Sequence, residues 1–460
     1  MDLAMLPKAW YKATTTPPQS VMDLAMLPDP FYTDLPCDKG TFGLCTASKD
    51  LMTQCKNYGI FAPGPPASGR CAREFRLFQL LGKDANQSDP QAMLVAAVDR
   101  NIPEAVQLLL ADSRVDPSAN DNWAIIEASV QGHAEVVRLL LADTRVNPSA
   151  STNRAIIAAS RYGHTEVVQL LLADGRADPS VNDNWTIAIT SRSGHAEVVR
   201  LLLADSRVDP SANDNWTIIE ASKNGHAKVV RLLMAVLSVD PSARNNSAIK
   251  NACMHGHIEV VQLLLADGRA DPSVNDNWTI AITSRSGHAE VVRLLLADNR
   301  VDPSANDNWA IIEASKNGHA KVVRLLMAAP GVDPSARDNS AIKNASMYGR
   351  SEVVRLLLAD TRVNPSALNN TAIIYASYNG HSEVVQLLLA DPRVDPSAND
   401  NRAIVNASSN GHAEVVRLLL ADRRVDPSAN DNLAFKNAFK NGHTDVVQLL
   451  WEAYNRTVGL

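Results

Sequence analysis

Apolar positions recur along most of the chain at helical spacing. In NDNWTIIEASKNGHAKVVRLLMA, residues 213–235, Ile218 and Ala221 are three apart, and Val229, Val230, Leu232 and Leu233 form a face at i, i+3, i+4. Gly225, between the two runs, suits the left-handed residue that ends a helix. The VDPSANDN that closes a unit is turn chemistry, an Asp-Pro and an Asn/Asp cluster, and Asp214 or Asn215 is expected to cap the next helix. Each unit therefore reads as helix, tight turn, helix, loop. Neither helix reaches the roughly 12–15 residues that are marginal alone in water, so a unit must stack on its neighbours to bury its apolar face.

The pattern has a fixed step. Asp-Pro or Asn-Pro occurs every 31 residues from Asp116 to Asp426, and Gly-His keeps the same step from Gly132-His133 to Gly442-His443, with one lapse at Gly349-Arg350. Unbroken phase leaves no room for a loop insertion. Counting helix pairs gives about twelve units. The first, residues 92–112, has Asn101-Ile102-Pro103 in place of Gly-His, and the last ends in WEAYNRTVGL, as capping units with atypical ends should. A longer period is superimposed: residues 172–205 recur at 265–298, three units on. This is either tandem duplication without new function or two equivalent binding faces that give avidity for a repetitive partner.

On these residues the sequence resembles ankyrin repeats. The likeness rests on the NGHAEVV.LLLAD core (residues 410–422 are one copy), the small pair Ala221-Ser222 before the turn, and the valine after it, Val208 or Val301. It covers roughly residues 88–460 and implies an all-α helix-turn-helix solenoid. The unit is about two residues shorter than the family's usual repeat of about 33. The Thr-Pro-Leu-His tetrapeptide of the family is replaced by WTII at 216–219 and SAIK at 247–250. The hydrogen bonds made by that Thr and His must come from elsewhere, and the Asn-Asp-Asn run is the candidate. The short form is similar to arrays of large DNA viruses and protists.

Residues 1–87 do not repeat in this way. MDLAMLP appears at 1–7 and 22–28, so Met22 is an alternative start, and 1–28 reads as a disordered tail. Residues 29–87 read as a small helical module. Leu35-Pro36, Leu44-Cys45, Ser48-Lys49, Leu51, Cys55 and Phe61 resemble an F-box, with CAREFRLFQLL (71–81) as a third helix. That resemblance implies binding to the F-box-binding adaptor of a cullin-type ubiquitin ligase. The shortened segment between Pro36 and Leu44 departs from it, and the competing reading is a helical cap on the array. Cys37, Cys45, Cys55 and Cys71 lack a close pair and a nearby histidine, so small buried residues are expected rather than a zinc site.

Composition narrows the function. The formal net charge is -6 and the pI about 6.0, which argues against wrapping nucleic acid or an anionic membrane. No apolar run is long enough to span a bilayer, no secretory signal is seen, and few cysteines fit an intracellular setting, cytoplasmic or nuclear. All eleven histidines lie in the array, and all but His255 follow a repeat glycine. Ten copies at one position imply a structural task, filling the turn and bonding to backbone. No unit sets Ser, His and Asp as nucleophile, base and orienter, so neither catalysis nor a cofactor is expected.

Binding is read instead from positions that vary inside the fixed frame. By the ankyrin resemblance, loops and first helices line a concave face that takes a protein partner. The column after Asn-Asp-Asn holds Trp123, Arg154, Trp185, Trp216, Trp278, Trp309 and Arg402, residue types that binding hot spots favour. The competing task for each Trp is to wedge against the next unit. Four residues on stand Glu127, Glu220, Glu313 and Tyr375, expected to face solvent. These are the partner-binding candidates, on a chain expected to be a monomer. The competing function is a substrate receptor of a ubiquitin ligase.

Overall fold

The computed structural model describes residues 70–81 and 89–458, which hold 25 helices and no strand. The chain divides into two compact units, up to Thr186 and from Ile187 onward.

In the first unit the helix Arg70–Leu81 precedes the pairs Pro90–Asp99 with Pro103–Leu110, Ala119–Gln131 with Ala134–Ala142, and Ala150–Tyr162 with Thr165–Asp174. The expected third helix of the N-terminal region is therefore present. Its Leu77 and Leu81 are buried, and Arg76 forms a two-pronged ion pair with Glu104 at 2.7 and 2.9 Å. The other residues that carried the F-box likeness, Leu35 to Phe61, lie outside the described residues, as do Cys37, Cys45 and Cys55.

In the second unit, pairs such as Ala212–Lys223 with Ala227–Met234 and Ala305–Asn317 with Ala320–Ala328 repeat the same plan. The expected apolar faces form the core: Ile218, Ala221, Val229, Val230 and Leu233 are fully buried, as are their equivalents Ile311, Ala314, Val322, Val323 and Leu326. The turn closes as a left-handed cap should. Gly225 has φ +79°, and the His226 N–H donates to the Ala221 carbonyl at 3.0 Å, which satisfies one of the last helical carbonyls.

The Asn-Asp-Asn run does something other than cap a helix. Asn213, Asp214 and Asn215 all adopt left-handed backbone, φ 51–62°, and the same three-residue left-handed turn recurs from Asn120 to Asn432. Ser211, which precedes the helix Ala212–Lys223, makes no capping hydrogen bond. Left-handed backbone costs an ordinary residue roughly 1–2 kcal/mol, and Asn and Asp tolerate it best. That preference explains the composition of the run. It allows Ser151-Thr152, Arg244, Arg337 and Leu368 at the first two places, but the third place is Asn in every copy. Its side chain supplies the reason.

Candidate functional site

Up to three side chains of a unit reach to the unit before or after it, and they define which surface remains for a partner. The first is the third Asn of the run. Its Oδ1 accepts from the backbone N–H of the next Asp-Pro or Asn-Pro, as between Asn122 and Asn147 and between Asn153 and Asp178 in the first unit, each at 2.7 Å. In the second unit Asn215 serves Asp240, Asn308 serves Asp333 and Asn401 serves Asp426, again at 2.7 Å. At the start of the array Gln91 replaces it, with Oε1 2.9 Å from the Asp116 nitrogen. The receiving Asp is itself fixed: Asp240 Oδ1 accepts from the N–H and hydroxyl of Ser242 at 2.9 and 2.7 Å.

The second is the histidine. Nε2 of His164 lies 2.8 Å from the Val130 carbonyl, and Nε2 of His257, His319 and His412 lies 2.8–2.9 Å from the carbonyls of Lys223, Arg285 and Tyr378. A carbonyl only accepts, so Nε2 carries the proton. The ring lies over the glycine of the preceding turn, where a Cβ added to Gly287 would come 2.5 Å from Nδ1 of His319. Glycine is needed there twice, for its φ of +83° and for the ring. At the lapse in the pattern, Arg350 takes over, its Nε donating to the Lys316 carbonyl at 3.1 Å. The expected structural role of the repeated histidines is what the geometry shows.

The third is an arginine that sequence reasoning passed over. Arg393 is held by both oxygens of Asp391 at 2.9 and 2.6 Å and donates to the carbonyls of Val363 and Leu358 at 2.9 and 2.8 Å. Arg145, Arg176, Arg269 and Arg362 do the same. The hydrogen bond from the arginine holds the carboxyls of Asp143, Asp205, Asp298, Asp391 and others below the usual range, and that of Asp112 falls to about 2 beside Arg114. The clamp is missing at two places 93 residues apart, where Val236-Leu237-Ser238 and Ala329-Pro330-Gly331 stand in its stead. Leu237 is 99% exposed. The step of 31 residues was the signal that could have found all three.

The predicted binding columns lie one residue to a unit, and the structure does not converge them on one point. Arg154, Trp185, Tyr375 and Arg402 are exposed, while Trp123, Trp216, Trp278 and Trp309 are half-buried. Part of the wedge reading is visible at Trp216, whose ring lies 5.2 Å under the guanidinium carbon of Arg244, while Nη2 of Arg244 donates to the Asn213 carbonyl at 2.8 Å. Glu127 and Glu313 are half-buried, and Glu127 accepts from Gln131 at 2.8 Å. The expectation that this column faces solvent fails at Glu220, which is only 4% exposed. Arg192, 3.5 Å away, covers its carboxylate, and Arg285 stands likewise 3.7 Å from Glu313.

The serine column of the small pair is buried. Ser222, Ser284, Ser315 and Ser408 have no hydrogen-bond partner for the hydroxyl, hence no base to activate it. His255, the one histidine outside the glycine pattern, bonds through Nδ1 to its own helix at the Asn251 carbonyl, 2.9 Å away. Cys253 sits in the serine column, and burial pushes its thiol up to about 12, far from a reactive thiolate.

The family model described as ankyrin repeats (3 copies) matches residues 142–214, 187–276, 218–307, 252–338 and 311–400. Together these matches cover more than half of the chain, and the chain belongs to the ankyrin-repeat family. Ankyrin repeats are generally protein–protein interaction modules and typically non-catalytic. No curated protein matches the chain. Among the described residues no helix is long and apolar enough to cross a membrane.

Proposed function

We propose that the chain binds a partner protein through the face made by its first helices and left-handed turns, the concave face of the family, and performs no catalysis. The observation that carries this is the division of labour within a unit. The frame residues are spent on neighbouring units, as with Asn308, His319 and Arg393. The residues free to vary stand exposed on the first helices, with Arg154, Trp185, Tyr375 and Arg402 outermost. Trp123, Trp216, Trp278, Trp309, Glu127 and Glu313 flank them, and Glu220 acts by orienting Arg192. The array is assigned to residues 88–460 and the binding to an intracellular setting.

A second reading makes the chain a substrate receptor, with residues 29–87 engaging the F-box-binding adaptor. The helix Arg70–Leu81 favours a cap for at least that part, since Leu77 and Leu81 are spent on burial. Affinity capture with the full chain and with a chain lacking residues 1–69, read by mass spectrometry, separates the two. Ligase components recovered by the full chain alone would establish the receptor. The same partners with both chains, and no ligase components, would leave the binding array.

A further inference from the structure

The last described pair, Ala429–Lys440 with Thr444–Val458, differs from every interior pair. Its second helix has 15 residues, against 8 in Ser382–Leu389 and 9 in Ala413–Ala421. In each interior unit the face turned toward the next unit is closed. Ile404, Ser408 and Val416 have no exposure at all, and Gly411 holds the ring of His443. One step on, those positions are Phe435, Phe439, Val447 and Gly442. Phe439 is 71% exposed, Phe435 and Val447 are half-buried, and no atom lies within 4 Å of a Cβ placed on Gly442. Trp451 and Tyr454 extend the patch, with Phe435 6.5 Å from Phe439 and 6.4 Å from Trp451, ring centre to ring centre. This face carries four aromatic rings.

Another repeat of this chain does not fit there. The column of Phe439 is small wherever a unit packs on it, serine or cysteine in ten copies and Val98 in the first pair, all fully buried. A phenyl ring in that space would overpack the interface. The first described pair is also unavailable as a lid, because Leu77 and Leu81 of the helix Arg70–Leu81 are buried. The charges around the patch are self-complementary. Lys436 and Lys440 edge the first helix, while Asp445 and Glu452 edge the second, and all four are exposed. A two-fold axis along the helices would set the first helix of one copy on the second helix of the other, Lys440 against Asp445.

We propose that the occupant is a second copy of this chain, joined through the same face as a two-fold dimer. This replaces the expectation of a monomer. At about 200 Å² for a fully buried aromatic side chain, the exposed parts of Phe439, Trp451 and Tyr454 offer roughly 350 Å² per copy before the rim is added. Over both copies that is about 700 Å², below the roughly 1,200 Å² of a standard specific interface until the rim is added, and it predicts a dimer that dissociates on dilution.

The test is sedimentation velocity of the full chain from about 1 to about 100 μM. The expected result is a monomer–dimer equilibrium whose dissociation constant rises at least about tenfold in Phe439→Ser, the residue of the interior units. Circular dichroism checks that this variant keeps its fold. Lys440→Asp should weaken the dimer, and Lys440→Asp combined with Asp445→Lys should restore it. A chain that stays monomeric throughout overturns the proposal, whether the face is bare or covered by residues 1–69 of its own chain. A dimer untouched by Phe439→Ser and by Lys440→Asp overturns it equally.

Discussion

Asn308 Oδ1 accepts a 2.7 Å hydrogen bond from the backbone N–H of Asp333, 25 residues further along. One side chain thereby meets two demands, a left-handed backbone at φ +63° and a polar tie to the next unit. Asn308→Ala should cost about 1–3 kcal/mol, because a part-buried donor loses its partner and alanine fits the left-handed backbone less well. Asn308→Asp keeps an acceptor at the same place and should cost less. Hydrogen exchange at the Asp333 amide reads the tie locally, which matters in a repeat array whose unfolding need not be two-state. Unchanged protection in Asn308→Ala would refute the assignment.

The glycine–histidine contact separates strain from space. Gly268 and Gly287 both have positive φ, but only Gly287 lies under a ring, that of His319. Gly268→Ala should therefore cost only about 1 kcal/mol of backbone strain, and Gly287→Ala about 1–3 kcal/mol more from overpacking. In a His319→Ala background the extra cost should disappear, and a double-mutant cycle in urea measures it. Equal costs for the two glycines would contradict the stacked geometry.

Acid should loosen the array through the arginine clamps. Asp112, Asp143, Asp205, Asp298 and Asp391 carry folded-state pKa values lowered by the arginine two residues on. A lowered pKa means the carboxylate stabilises the fold fully above its unfolded value of about 3.9, and the contribution is lost as pH falls through the folded value. For Asp112 that window closes at about 2. The melting temperature should be flat from about pH 7 to pH 5 on this account and fall steeply below about pH 4. A loss that begins near pH 6 would contradict this account.

The two gaps in the clamp can be filled. Val236→Asp with Ser238→Arg places the pair at the spacing of Asp391 and Arg393. The new guanidinium should reach the Val208 carbonyl, 30 residues back, as Arg393 reaches Val363. A gain of about 0.5–1.5 kcal/mol is expected from the restored hydrogen bonds. It should appear as slower exchange at amides 203–240. Ser238→Arg alone, without the carboxylate that holds the guanidinium in place, should gain less.

The helical pairs were legible because Ile218, Val229, Val230 and Leu233 bury one face of short helices, and a 3.6-residue period records that directly. The histidine task was legible because a role repeated ten times cannot be a unique site. The left-handed turn was not, since Asn-Asp-Asn reads equally well as a helix cap. What decides between them is the Asp240 amide, brought to Asn215 by the next unit. The arginine clamp escaped for the same reason: Asp391-Pro392-Arg393 reads as solvated charge until Val363 is placed beside it. Glu220 looked exposed because a carboxylate is rarely buried unless paired, and in the fold it is buried with Arg192 3.5 Å away.

The central claim is that partner binding sits on the first-helix face. The most direct measurement compares what is captured by three full chains: the unaltered one, one with Trp185, Trp278, Tyr375 and Arg402 replaced by alanine, and a control with Arg138, Arg231 and Arg355 replaced by alanine on the exposed side of the second helices. The account predicts that partners of the unaltered chain are lost from the first variant and kept by the control. Partners kept by the first variant and lost from the control would contradict it.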